Sequence, residues 1–186
     1  AIMDNNITKI RLKYPNGEEP NLCIPTEYNE HHRFLLGRLG LKPLVAICMN
    51  PSAASKEYSD RTINRIISVS KKIGYDGWAV ANLYPERATD ARNLNEFDGS
   101  LLEENVKIVT KFLNKNQIKE VWGAWGNINH PALVEGKKQL LTSFKDNQVE
   151  MFTYAPLTKR GEPVHPLNRR TKQVFTDESK IYLEFL

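Results

Sequence analysis

The sequence lacks the features of membrane proteins and of disulfide-rich proteins. No apolar run approaches the roughly 20 residues that a membrane helix needs, and no signal-peptide pattern is present. There are only two cysteines, Cys23 and Cys48, and they are too far apart in sequence for a CxxC motif. This usage fits neither a disulfide framework nor a zinc site, so we expect a cytoplasmic protein with no membrane partner.

Motifs that hold metals and common cofactors are absent as well. The chain has no GxxxxGK[ST] loop, no HExxH helix and no cluster of His and Asp residues. It also has no GxSxG elbow, so Ser52, Asp60 and His165 do not fit a hydrolase triad. We therefore predict that the protein needs neither a metal nor a cofactor.

What the sequence does contain is typical of a globular domain. Hydrophobic residues make up 40% and charged residues 26% of the 186 positions, enough to bury a core. No repeat, low-complexity segment or linker divides the chain, which predicts one α/β domain over residues 1–186. It would comprise N-terminal strands and loops (1–43), a core with site loops (44–170) and a C-terminal segment (171–186) of no clear type.

Basic residues cluster near the C-terminus, although the net charge is only +4. The cluster surrounds His165 and consists of Lys159, Arg160, Arg169, Arg170 and Lys172. It suits a phosphate or a nucleic-acid backbone, and a solvated basic tail explains it equally well.

Four apolar segments predict buried strands that alternate with helices. The clearest segment ends at Asn50-Pro51, where proline removes a ladder donor. The four segments are residues 44–49, 77–84, 118–124 and 149–154.

Three helices are predicted around these strands. The first begins near Ser59-Asp60, either of which can cap it, and ends at Gly74. The second opens with a capping box formed by Ser100 and Glu103, and the third starts at Pro131.

Ahead of the first buried strand, residues 7–14 predict a strand, residues 21–30 a loop and residues 31–39 a short strand. Alternating strands and helices form βαβ units, in which the strands run parallel and helices cover both faces. We predict a three-layer α/β/α fold around a central, mainly parallel four-stranded sheet, with short N-terminal strands added.

Each predicted strand is followed by polar residues, and the carboxyl ends of parallel strands share one edge of the sheet. We expect these residues to meet in one crevice, together with Arg65 from the first helix. The candidates are Asn50, Ser52 and Asp60; Asn82, Arg87 and Thr89; Trp125 and Asn127; and Thr158, His165 and Arg169.

Five motifs carry a resemblance to a known family. They are MNPSAAS (49–55), SDRTINR (59–65), ANLYPERATDARNL (81–94), GAWG (123–126) and LTKRGEPVHPLN (157–168). In this order they resemble the bacterial and phage domain-of-unknown-function family 1643, over about residues 33–168. That family brings no established activity.

A more distant resemblance is to the uracil-DNA glycosylase superfamily. Those enzymes also have a strand ending in Asn-Pro or Asp-Pro, a later Trp-Gly and a His-Pro near the C-terminus. Asn50-Pro51, Trp122-Gly123 and His165-Pro166 match these features. The resemblance implies a glycosylase-like fold more directly than an activity.

The residue types in the crevice fit hydrolysis of a bond between a base and its sugar. Asn50 can position water, Asp60 can act as a base and His165 can donate to the departing base. Arg87 offers a fork for phosphate, and the other candidates would bind substrate.

Structural alternatives remain open for several of these residues. Asn50 can bond to its own turn, and Asp60 can serve only as a helix cap. Arg65 can pair with a carboxylate, Asn82 can tie two loops together and Trp125 can belong to the core.

We therefore hypothesise a protein directed at a nucleobase, nucleotide or nucleic acid, with a glycosylase-like pocket at the carboxyl ends of the strands. It would be an N-glycosidic bond hydrolase. The alternative is a non-catalytic module of the same fold that binds a nucleotide or nucleic acid.

Overall fold

The computed structural model describes residues 11–184, which form a mixed sheet between helices. The strands are β1 (Leu22–Ile24), β2 (Leu35–Arg38), β3 (Pro43–Cys48), β4 (Gly77–Asn82), β5 (Glu120–Gly123), β6 (Glu150–Thr153) and β7 (Ile181–Leu183). The helices are α1 (Arg61–Ile73), α2 (Gly99–Lys115) and α3 (Pro131–Asp146).

The strand order across the sheet is β1-β2-β4-β3-β5-β6-β7. The middle four strands, β4, β3, β5 and β6, run parallel. At the edges, β2 pairs antiparallel with β4, β1 with β2, and β7 with β6. The prediction of a four-stranded sheet is therefore wrong in strand number, since residues 11–184 form seven strands. The two outermost strands have three residues each, too few for a sequence period to indicate them.

Helices cover both faces of the sheet, as β3 shows most clearly. Leu44 and Ala46 pack with Ile66 of α1 in one core. Val45 and Ile47 belong to the second core on the opposite face, with residues of α2 and α3. Successive strand residues point to opposite faces, so a strand covered by helices on both sides is apolar throughout.

Helix caps match the sequence prediction in α1 and α3 but not in α2. The Asp60 carboxylate accepts from the amide of Ile63, and Gly74 ends α1 with a φ of 97°. Pro131 is the first residue of α3, as predicted. The predicted Ser100 capping box is wrong, because Asp98 lies two residues earlier and its carboxylate accepts from the first-turn amides of α2.

The terminal segments differ from their predictions. The predicted strand at 7–14 begins outside the described residues, and its described part makes one antiparallel bridge between Leu12 and Ser59. The predicted loop at 21–30 contains β1, whereas the predicted strand at 31–39 contains β2. The untyped C-terminal segment forms a short turn of 3₁₀ helix, Asp177–Ser179, and then β7.

Within residues 11–184, every helix is too short or too polar to cross a bilayer.

Candidate functional site

A cavity of about 220 Å³ lies at the carboxyl ends of the neighbouring strands β3 and β4. The N-terminus of α1 and the segment around His165 complete its wall. Six of the twelve predicted site residues line this cavity, although they are far apart in the sequence. They are Asn50, Ser52, Asp60, Asn82, Thr89 and His165. We refer to this space as the base cavity.

The other six predicted residues do not line the base cavity. Three of them bond through their side chains to other side chains: Trp125 donates to Glu162 over 2.9 Å, and the Thr158 hydroxyl donates to Asn127 over 2.7 Å. Trp125 is fully buried, so it belongs to the core. This is the structural alternative that we considered for it beside a role in substrate binding. The remaining three are Arg65, Arg87 and Arg169, of which Arg169 is exposed.

Asp60 has two roles in the structure. One carboxylate oxygen accepts from the Ile63 amide over 2.8 Å and caps α1, and the other accepts from the Ser52 hydroxyl over 3.0 Å. The carboxylate therefore fixes the loop after β3 against the start of α1. It also brings an acceptor to the cavity wall, where it can hold a water molecule or a ligand hydroxyl.

His165 is held as a neutral imidazole with a defined tautomer. Its Nδ1 accepts from the Leu167 amide over 3.1 Å, so in the neutral ring the proton resides on Nε2, which can donate. Burial lowers the pKa of His165, and the carboxylate of Asp60 opposes this shift. At neutral pH the side chain is thus a hydrogen-bond donor without a full positive charge.

Two contacts hold the segment that carries His165. Arg65 donates from Nη1 to the carbonyl of Pro166 over 3.1 Å, which links α1 to this segment. Gly126 has a φ of 72°, and a Cβ at this position would lie 3.2 Å from the Cβ of His165. Glycine is therefore favoured at 126 by its backbone conformation and by the close approach of the histidine.

Asn50 connects the loops that follow β3 and β4. Its Nδ2 donates to the carbonyls of Ala88 over 2.9 Å and Glu86 over 3.3 Å, besides its own turn at Pro51 over 3.1 Å. The amide nitrogen is thus occupied by backbone acceptors, and the Oδ1 atom is the part of Asn50 left for a ligand.

Asn82 lies at the end of β4 and is fully buried. Its Nδ2 makes a long contact of 3.4 Å with the carbonyl of Arg33. Its Oδ1 has no donor among residues 11–184. A buried acceptor without a partner costs about 1–3 kcal/mol, so this oxygen is an unsatisfied acceptor in a residue of the cavity wall.

Arg33 is a cavity residue that the sequence analysis missed. The side chain is 2% exposed, and Nη1 donates to the carbonyl of Ala54 over 2.8 Å. Its Nε has no acceptor in the described part of the chain. Burial lowers the pKa of this guanidinium, and Asp60 opposes the shift. A lone arginine beside an apolar segment gave no local signal of a buried site.

Cys48 also lines the base cavity. Burial raises the pKa of its thiol to about 12, so the thiolate that a nucleophile requires is scarce at neutral pH. Cys48 therefore supplies an apolar wall. Met49, Ile63 and Val80 do the same.

The cavity combines these apolar walls with a few fixed donors and acceptors, which is the usual composition of a small-molecule site. Its volume lies below the range of about 300–1,000 Å³ that drug-sized ligands occupy. The cavity is therefore sized for a small ligand whose polar groups complement these donors and acceptors.

Comparisons with curated proteins and with solved structures find no match to this chain. A family model does match: it is described as "Protein of unknown function (DUF1643)" and covers residues 33–167. This match spans well over half of the chain and includes every residue described above as lining the base cavity. The chain therefore belongs to the DUF1643 family.

Proposed function

We propose that this protein binds one nucleobase, as part of a nucleoside or nucleotide, in the base cavity and hydrolyses the bond between base and sugar. The observation that carries the proposal is that two residues of different kinds line one small cavity. One is Asn82, whose buried Oδ1 acceptor has no donor in the described part of the chain, and the other is His165, a neutral donor. Bases are read by side chains that complement their hydrogen-bonding edges.

Each polar group has a role in the proposed reaction. Asn82 Oδ1 accepts from a ring N–H or exocyclic amine of the base. His165 Nε2–H donates to an oxygen or nitrogen of the base, where negative charge develops as the base departs. Asp60, held by Ser52, accepts a proton from the attacking water.

The reaction balances with water as the second substrate. The water oxygen bonds to the anomeric carbon of the sugar as the carbon–nitrogen bond breaks. The bonding pair stays with the base nitrogen. One water proton passes to Asp60, and the base takes up a proton after it leaves. The products are a free base and a free sugar or sugar phosphate.

A specific observation favours the non-catalytic alternative. Both carboxylate oxygens of Asp60 and the Nδ2 atom of Asn50 already bond inside the protein. A site whose polar atoms are used this way would bind a base without activating water. In that case binding survives and turnover is absent.

The test measures binding and product release separately. The protein is titrated with a panel of nucleosides and nucleotides in a calorimeter, and each mixture is then analysed for free base by chromatography. Uracil-containing oligonucleotides are assayed in parallel, because the exposed basic cluster near His165 also suits a nucleic-acid backbone. Release that His165→Gln slows at least tenfold, with affinity retained, supports the enzyme.

Binding without release supports the non-catalytic module. If no nucleoside, nucleotide or oligonucleotide binds, the proposal of a base site is wrong in both forms.

A further inference from the structure

A second cavity, of about 370 Å³, shares Arg33 with the base cavity. Arg87 and Lys56 also line it, as do the acidic residues Glu27 and Glu57. Lys56 and the two glutamates are exposed, whereas Arg33 is buried. Arg33 therefore places positive charge in the interior of this second cavity, whereas its exposed side carries charges of both signs.

Arg33 and Arg87 are held side by side by one backbone oxygen. The carbonyl of Ala54 accepts from Nη1 of Arg33 over 2.8 Å and from Nη1 of Arg87 over 3.1 Å. Arg87 is fixed further by its Nε, which donates to the carbonyl of Asn29 over 2.8 Å, and by the Tyr28 ring at 4.9 Å. The pair is thus positioned before any ligand arrives.

This arrangement places two like charges together. The carboxylate of Asp60 acts on Arg33 from a distance too long for an ion pair. In the part of the chain from 11 to 184, neither guanidinium forms an ion pair. The Nε of Arg33 is buried and has no acceptor there. Burying an unpaired charge is unfavourable unless an anion compensates it, so the pair points to an anionic ligand.

We propose that Arg33 and Arg87 form a phosphate subsite, and that the ligand of the base cavity is a nucleoside monophosphate. The assignment of the nucleoside rests on the function proposed above, whereas the phosphate subsite rests only on the arginine pair. Arg33 connects the two sites because it lines both cavities.

Phosphate fits the pair better than a single carboxylate does. Some N–H groups of both guanidinium groups already donate to backbone carbonyls, whereas Arg33 Nε has no acceptor among residues 11–184. A phosphate group offers three oxygens, enough to accept from the remaining N–H groups of both side chains. A small nucleotide is favoured over a nucleic acid because Arg33 is buried and Arg87 is half-buried, whereas a strand backbone needs a groove that it can follow. A phosphate on a nucleic acid shares this chemistry and is tested as a separate arm.

The subsite is tested first with inorganic phosphate alone. In protein labelled with ¹⁵N-arginine, the Nε–H resonance of Arg33 is identified by its loss in Arg33→Lys. We expect phosphate to shift this resonance saturably, while equal ionic strength of chloride does not. An unchanged Arg33 resonance at saturating phosphate would overturn the subsite.

The ligand class is tested by comparing a nucleoside with its 5′-monophosphate by calorimetry. We expect the monophosphate to bind at least tenfold more tightly, and Arg87→Lys and Arg33→Lys each to reduce that advantage severalfold. Lys56→Ala is the matched control, because Lys56 lines the same cavity from an exposed position, and it should retain most of the advantage.

Equal affinities for nucleoside and monophosphate, or tighter binding of an oligonucleotide than of the monophosphate, would overturn the ligand assignment. The two proposals fail differently. A shifted Arg33 resonance with no nucleoside binding supports the phosphate subsite and rejects the base site. Nucleoside binding with no response to phosphate rejects the subsite alone.

Discussion

The Ser52 hydroxyl donates to the Asp60 carboxylate over 3.0 Å and joins the loop after β3 to the first residue ahead of α1. Because the other carboxylate oxygen caps the helix, a change at Asp60 alters both stability and the cavity. The two effects can be separated by choosing the substituent.

Asp60→Asn should lose base release but keep the fold, because asparagine caps a helix about as well as aspartate and cannot accept a proton from water. Asp60→Ala should lose both, with the free energy of unfolding lowered by about 1 kcal/mol. Urea denaturation and the chromatographic assay measure the two effects.

Asp98→Ala is the matched control for Asp60→Ala, since Asp98 caps α2 and does not line the base cavity. It should cost a similar free energy of unfolding and leave base release intact. If Asp60→Asn releases base at the wild-type rate, Asp60 is only a cap.

The lowered pKa of His165 predicts a pH dependence of stability. Between that lowered pKa and the ordinary value of 6.5, the unfolded chain binds a proton that the folded chain does not. The free energy of unfolding should therefore decrease as pH falls through this window, and His165→Gln should remove this contribution.

NMR titration of the imidazole measures the pKa directly, and urea denaturation at pH 7.5 and 5.5 measures the stability. His31→Gln serves as the control, because His31 is exposed. A His165 pKa above 6.5 would contradict the buried, neutral donor described here.

Gly126→Ala should impair the site through the position of His165. Alanine at 126 must adopt a φ of 72° and place its Cβ 3.2 Å from the Cβ of His165, so both strain and displacement are expected. We predict at least a tenfold loss of nucleoside affinity or of base release.

Gly161→Ala tests the effect of backbone strain without displacement of His165. Gly161 has a φ of 83°, and a Cβ there would meet nothing within 4 Å. This variant should lose about 1 kcal/mol of stability and keep nucleoside affinity. Equal affinity losses in the two variants would show that displacement of His165 is not the cause.

Arg65→Ala tests whether α1 positions the segment that carries His165. The variant removes the donor to the Pro166 carbonyl, so we expect a severalfold loss of base release and a broader His165 imidazole signal. Arg61→Ala is the control on the same helix, since Arg61 is exposed and does not line the cavity. Similar base release and similar imidazole signals in the two variants would show that Arg65 does not position His165.

Much of the fold could be predicted because its signals are local. The apolar run of β3, the Asp60 cap and the Gly74 terminator are each contained in a few residues. The edge strands β1 and β7 could not be predicted, because three-residue strands depend on pairing with distant neighbours. The cap of α2 was misassigned for a local reason, since Asp98 and Ser100 lie two residues apart and both are of capping type.

The candidate site, too, could be predicted in part and depends in part on contacts between distant residues. The convergence of Asn50, Asp60 and His165 on one cavity follows from parallel strands whose carboxyl ends share an edge. The bond from Trp125 to Glu162 joins residues 37 positions apart, so the sequence pattern could not show it. Arg33 was missed because its burial beside Arg87 is a property of the packed chain.

The most direct test of the central claim is the affinity of the Asn82→Ala variant for the nucleoside that the wild-type protein binds most tightly. Removing the only polar atom of the Asn82 side chain that lacks a partner within residues 11–184 should weaken binding by about ten- to a hundredfold, as loss of one or two hydrogen bonds predicts. Calorimetry at neutral pH gives the value, with circular dichroism confirming the fold. An affinity equal to that of the wild-type protein would contradict the assignment of this cavity to a base.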